Sequence, residues 1–436
     1  MLTAFARAFR TPDLRRKLLF TILIMAIFRL GSFIPAPGVN YQNVRANVEG
    51  VDGAGLMGLI NTFSGGALLQ LSVFALGIMP YITASIIIQL LRVVIPRFEA
   101  LHKEGQAGQA KMTQYTRYLT IALAILQSTT VLTTARAGVL FGPGSLPVLT
   151  DNSIVTMVLM VITMTAGTGL IMWLGELITE RGVGNGMSLL IFTSIVAGFP
   201  GGLGSIITDP TVATGVRVRN LLVILAIIVI VVAAVVFVEQ SQRRVPVQYA
   251  KRMVGRKMYG GTSTYIPIKI NMAGVIPVIF ASSILAVPTL IAQFGNQEAG
   301  WVQWVISHVS SPAAPLHIVL YALMILFFCF FYTSITFNPD EVSDNMKKYG
   351  GFVPGIRAGR PTAEYLQYVS SRITAAGAIY LVLLALIPTL VIVFLGLNHN
   401  LPFGGTSILI MVGVGLETVK QIDSQLQQRH YEGFLK

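Results

Sequence analysis

Ten apolar runs, most of them close to the roughly 20 residues needed to cross a bilayer, recur from one end of the chain to the other. They cover about residues 18–34, 73–95, 118–135, 153–174, 187–199, 221–238, 273–294, 318–337, 373–395 and 403–416. Lipid offers a backbone no hydrogen-bond partner, so such segments must satisfy their amides internally. The expected fold is an all-α polytopic membrane protein with ten transmembrane helices. With 54% hydrophobic and 11% charged residues, the 436-residue chain is not a water-soluble one. Arg15, Arg16 and Lys17 precede the first run, as they would in a signal peptide. Against cleavage, Arg29 interrupts that run, and the one small-residue site, Ala36, is followed by Pro37. The run reads as a retained first span.

Ten crossings put both termini on one side, and the charges say which. With the termini inside, the outer segments hold only Arg45, Arg136, Arg217 and Arg219, and Arg29 lies within a span. The other 26 of the 31 Lys and Arg fall inside, as the positive-inside rule requires. Both termini are therefore expected in the cytoplasm. The net charge of +13 needs no nucleic acid to explain it, because much of it sets topology.

Two stretches 197 residues apart nearly repeat each other: Gly77-Ile-Met-Pro80-Tyr-Ile82-Thr-Ala84-Ser85 and Gly274-Val-Ile-Pro277-Val-Ile279-Phe-Ala281-Ser282. Each puts a Gly and a Pro inside a long apolar segment, where both weaken a helix. Interrupted segments at matching places in two halves mark where a substrate path crosses the bilayer. The copies lie on spans two and seven. An odd number of crossings separates them, so they run in opposite directions. The chain reads as two inverted halves of five helices, 1–219 and 220–436. Spans five and ten support this, each being short and entered through a glycine cluster, Gly182 to Gly186 and Gly404-Gly405. The Gly-x-Gly at 182 follows no strand and reads as a helix break, not a phosphate loop.

No hydrolase, ATPase or metal-site motif is present. Cys329 is alone, and the five histidines show no ligand spacing. No cofactor is expected, and the chain is not read as an enzyme. Ionisable groups inside spans usually bind a substrate or relay protons, and here they are nearly missing. Arg29 near the outer end of span one is expected to snorkel to the interface. Glu176, Glu239 and Glu417 fall at span ends. Thr83, Gln127 and Asn271 are isolated polar residues that either bridge packed helices or line a path. An apolar constriction filters ions poorly but seals well by dewetting. This favours a gated pore for something large and variable over a secondary transporter.

Residues 35–72 form a long outer segment whose part at about 56–70, including Asn61, Phe63, Ser64, Gly65 and Gly66, is too short to span and too apolar for a plain loop. A re-entrant course is expected. Two inner loops, 239–270 and 338–372, are long and basic. In the first, alternation in Val245–Tyr249 and Thr264–Ile268 around a turn at 259–261 predicts a hairpin. It carries Arg243, Arg244, Lys251, Arg252, Arg256 and Lys257. In the second, Pro354, Gly355, Gly359 and Pro361 are expected to present Arg357 and Arg360 outward. Such charge suits anionic lipid, an acidic soluble partner or RNA phosphates.

The chain resembles the SecY family, channel subunits of the bacterial Sec protein translocase, nearly end to end. The motifs that carry the resemblance are Ala75 to Gln89, Gln114-Tyr-Thr-Arg-Tyr118, Gly175 to Gly186, Gln242 to Lys251, Asn271 to Pro277 and Gly351 to Arg357. The resemblance implies an hourglass pore between two halves in the bacterial cytoplasmic membrane, passing unfolded secretory chains outward and releasing apolar helices into membrane lipid. Matched motif by motif, its apolar ring falls on Ile78, Ile82, Met187, Ile191, Ile279 and Ile410. The segment around Phe63-Ser-Gly-Gly66 would be the plug. Thr83, Gln127 and Asn271 would belong to the lateral gate, which binds signal sequences. The basic loops would dock the SecA motor or the ribosome, with SecE and SecG as companion subunits. Met187, where a branched residue is common, would soften the ring. Ala358, where Pro is usual, would loosen the docking loop.

Overall fold

The computed structural model describes residues 9, 11–50, 64–136, 138, 146–151, 153–208, 214–249, 252–254, 257–259, 263–294, 299–310, 314–395 and 405–432. Every apolar run supplies a helix. In chain order these are α1 (Pro12–Gly31), α3 (Met79–Val94), α5 (Gln106–Arg136), α6 (Ile154–Arg181), α7 (Gly186–Thr208), α8 (Thr214–Gln240), α9 (Ile276–Phe294), α11 (Pro315–Thr336), α13 (Arg360–Leu395) and α14 (Gly405–Glu432). Five of them, α5, α6, α8, α11 and α13, contain windows long and apolar enough to cross a membrane by length and composition. Between the runs lie α2 (Tyr41–Gly50), α4 (Pro96–Lys103), α10 (Gly300–Val305) and α12 (Pro339–Lys348). The spans expected to be shortest lie in long helices. α7 continues to Thr208 through Pro200, and α14 continues for 28 residues because a polar helix follows its apolar start.

The chain divides into two compact units. One comprises Met1–Ile224, Leu395–Phe403 and Ile410–Lys436; the other comprises Leu225–Phe394 and Gly404–Leu409. In the first unit, small residues let helices approach. Lipid is as apolar as leucine, so close packing rather than burial from water must hold such helices together. A Cβ added at Gly186, the first residue of α7, would stand 1.8 Å from the Gly175 carbonyl oxygen of α6. The Gly186 amide also donates to Thr179 Oγ1 at 2.9 Å. Gly186→Ala is therefore expected to cost about 2–3 kcal/mol, as overpacking against rigid backbone does. Gly198→Ala, with nothing within 4 Å of its Cβ, is expected to leave stability unchanged or raise it. Thermal unfolding of the two purified variants in detergent compares them.

Asparagine side chains secure α2 to the segment before α6. Asn47 on α2 pairs with Leu146 like a strand neighbour, donating to its carbonyl and accepting from its amide, both at 2.9 Å. Asn43 donates to the Pro147 carbonyl at 2.8 Å.

In the second unit the two long loops form one sheet. Strand β1 (Gln242–Tyr249) pairs antiparallel with β4 (Ser263–Lys269), with Val245 opposite Ile266. The expected partners are paired, but they do not meet in one tight turn. A second ribbon of β2 (Arg252–Val254) and β3 (Lys257–Tyr259) intervenes, and Tyr259 is a strand residue in it. The other edge of β1 takes up β5 (Gly351–Phe352) from the second loop, giving the order β4-β1-β5. Val245, Val247, Ile268, Met346, Val353 and Leu366 are buried together beneath this sheet. Removing side chains of this size from water contributes about 1.5–3 kcal/mol each.

Candidate functional site

The repeated segments adopt the same local backbone. Gly77 and Gly274 both take left-handed conformations, with φ of 56° and 61°. Pro80 and Pro277 are then each the second residue of a helix, α3 and α9. The first helical amides match as well. Tyr81 N donates to Ile78 O and Val278 N to Val275 O, both at 3.1 Å, while Ile82 N and Ile279 N reach the same two carbonyls at 3.1 and 3.3 Å. The Gly and Pro do not interrupt a helix, contrary to the sequence expectation. They start one, because proline in the first turn sacrifices no intrahelical bond. The 15 residues before α3, Ser64–Ile78, run as turns apart from one bridging residue, Ser72, paired with Pro35.

Four of the expected ring residues belong to one apolar cluster of the first unit. Ile78 is fully buried in it, and Ile82, Met187 and Ile191 are half-buried against it, together with Phe28, Phe74 and Val414. Met187 is seated on α6, since its sulfur occupies the space a Cβ at Gly175 would need. Ile410, at the start of the first unit's part of α14, is buried, and so is Ile279 in the second unit. These side chains expose no ionisable group and can do no acid–base chemistry. What they offer is an adaptable apolar surface.

Among the expected gate residues, Thr83 donates to the Met79 carbonyl of its own helix at 3.0 Å. Gln127 is half-buried on α5, which packs along α3. Asn271, in the second unit, is buried and donates to Glu239 Oε1 at 2.7 Å, while its own Oδ1 has no partner among the described residues.

Asn61 and Phe63 lie outside the described residues. Ser64 is fully buried, its hydroxyl accepting from the Leu68 amide at 3.1 Å. Leu68 and Leu71 just beyond are fully buried against α5 and α6. Arg29, expected to snorkel, has a specific partner: it donates through a guanidinium nitrogen to the Gly65 carbonyl, with Cζ 4.6 Å from the Phe33 ring centroid.

On the sheet, Arg243 and Arg244 are exposed on β1, and Arg244 lies 4.8 Å from the Tyr265 ring centroid. Arg252 and Lys257 are on the β2–β3 ribbon; Lys251 and Arg256 lie outside the described residues. Arg357 is exposed on a braced turn. Thr362 Oγ1 donates to the Arg357 carbonyl at 2.9 Å, and Ser343 Oγ to the Gly359 carbonyl at 2.7 Å. These bonds flank Ala358, so the turn is held without the proline. Arg360 is 89% exposed and pairs with Glu364 at 3.1 Å.

Sequence reasoning missed the partner of Glu176. Arg117 grips both its carboxylate oxygens, at 2.9 and 2.7 Å, tying α5 to α6. Both residues lie within the motifs named above, and two opposite charges near adjoining ends of consecutive apolar runs were the available signal.

The SecY family pattern matches residues 72–419. The protein translocase subunit SecY of Streptomyces coelicolor is 64% identical over the full length of both chains. A solved structure described as a protein-conducting channel is similar over 93% of this chain and 91% of its own, with a TM-score of 0.60 at 18% identity. Sec61 in the canine ribosome-channel complex from the endoplasmic reticulum is similar over the same shares, with a TM-score of 0.57 at 18% identity. The fold is thus shared widely and the sequence closely, and the chain belongs to the SecY family.

Proposed function

We propose that this chain is the protein-conducting subunit of a bacterial Sec translocase, a multi-pass protein of the cytoplasmic membrane with both termini in the cytoplasm. The observation that carries this reading is family membership at 64% identity over the whole chain, combined with spans almost free of ionisable groups. The chain passes unfolded secretory polypeptides outward and releases transmembrane segments into lipid. It is a passive path rather than an enzyme, so the driving energy comes from a motor such as SecA or from the ribosome. SecE and SecG are its companion subunits. The two halves, 1–219 and 220–436, are proposed to be inverted copies.

In this reading Ile78, Ile82, Met187, Ile191, Ile279 and Ile410 form the seal, and the segment 56–70 is the plug. Thr83, Gln127 and Asn271 border the opening to lipid through which signal sequences enter. Arg243, Arg244, Arg252, Lys257, Arg357 and Arg360 dock the motor or ribosome, with Lys251 and Arg256 adding to the same charge. The sheet core supports the docking role, because a packed platform holds exposed arginines in fixed positions at low entropic cost.

A secretory chain stalled in transit tests the reading. Photoreactive probes at positions 82, 191, 279 and 410 are expected to crosslink to it, and probes on the lipid-exposed face of α6 at Val158 and Ile162 are not. Equal labelling of both sets, or none at the first, would reject the path.

A further inference from the structure

The guanidinium of Arg29 is occupied in a way that a topology signal does not require. It donates to the Gly65 carbonyl while stacking on Phe33 one helical turn away. Gly65 is held on its other side by α7. A Cβ built there would stand 3.0 Å from the arginine nitrogen and 3.2 Å from Ser194 Cα, and Gly65 has a φ of 67°. The turn at Ser64–Gly66 is thus clasped between α1 and α7, at a point where the left-handed φ favours glycine and an added Cβ would crowd both sides. The residues next to the clasp belong to the apolar cluster already described. Phe28 precedes Arg29 and is fully buried in it, and Ile191 stands one turn before Ser194 on α7. A half-buried guanidinium loses part of its hydration, and a hydrogen bond offsets that cost. Here its engagement is with the backbone of the very segment proposed to close the path.

We infer that Arg29 is a latch, a positioning residue that holds the Ser64–Gly66 turn against α7 and so sets how readily the closed channel opens. The inference rests on the proposed role of 56–70 as the plug. Moving this turn away from α7 requires breaking a charge-assisted hydrogen bond and an arginine–aromatic contact together. Charge-assisted bonds are about twice as strong as neutral ones, which suits a contact that must hold at rest and yield to a correct signal.

The test uses the full chain with its companion subunits in membranes. Arg29→Gln is expected to raise resting ion leak about tenfold or more, the population shift that follows loss of one such bond. It is also expected to let a reporter with a shortened apolar signal be exported, while the intact reporter is exported as before. Arg29→Lys, which keeps a cationic donor, should restore most of the closed behaviour. Gly65→Ala, which intrudes on the same contact from the other side, should reproduce the leak. Protein abundance and thermal unfolding are followed alongside, and Gly65→Ala keeps the test decisive if Arg29→Gln does not accumulate. Wild-type leak and stringency in Arg29→Gln and Gly65→Ala would overturn the latch. With wild-type leak and stringency, continued export of the intact reporter would show that the channel reading stands and the latch alone falls. If the wild-type chain itself supports no export, the channel reading fails first.

Discussion

Arg357→Glu is expected to reduce motor-driven export into inverted membrane vesicles at least about thirtyfold, the effect of reversing one interface hot spot worth about 2 kcal/mol. The side chain is exposed, and the turn beneath it is held by other residues. Thr362 and Ser343 bind the carbonyls at Arg357 and Gly359, and the Ile356 amide donates to the Val353 carbonyl at 3.0 Å. The substitution therefore leaves folding within about 0.5 kcal/mol, as exposed changes away from such features do. The loss of export would then report on docking alone. Arg360→Glu makes the contrast. Arg360 is already paired with Glu364 and opens α13, where an acidic residue is favoured by the helix dipole, so its reversal is expected to cost export severalfold less. Equal loss in both would point to net loop charge rather than a fixed contact, and undiminished export in Arg357→Glu would remove this residue from the docking surface.

Where physics leaves the chain one choice, the sequence was a sufficient guide. Lipid forces apolar runs into helices, and each of the ten runs supplies one. Alternating burial sets strand pairing, and Val245 and Val247 are buried on β1 as alternation requires. Local cues failed where the outcome depended on a distant partner. Strand β5 is two residues long, too short to show a period, and it exists because β1 had an unpaired edge. Nothing near Arg29 in sequence reveals its acceptor Gly65, 36 positions away. The Pro80 and Pro277 segments were recognised as a pair, yet a proline in an apolar run reads alike as a break or a beginning. The left-handed φ of Gly77 and Gly274, which ends one course of the chain and starts another, decides between them.

The proposed apolar seal makes the second large prediction, and burial separates its proposed members. Ile78 is fully buried and packed with α6 residues Ile171 and Ile178, whereas Ile82, one turn on, is only half-buried in the same cluster. An asparagine at position 78 would place an amide among apolar side chains and is expected to cost about 1–3 kcal/mol of stability. At position 82 the same change has room to stay hydrated. Ile82→Asn should therefore leave the unfolding temperature close to wild type while resting ion conductance rises, because a single polar group in a narrow apolar ring favours wetting. Ile279 has the matching backbone setting in the second copy, and Ile279→Asn is expected to raise conductance too, with some loss of stability because it is buried. Ile82→Leu, which keeps the surface apolar, should remain closed. Planar-bilayer recordings of the reconstituted complex without substrate measure all of these. If Ile82→Asn and Ile279→Asn both conduct like wild type, the seal lies elsewhere. If Ile78→Asn alone leaks while unfolding early, the current reports damaged packing between α3 and α6 rather than a wetted ring.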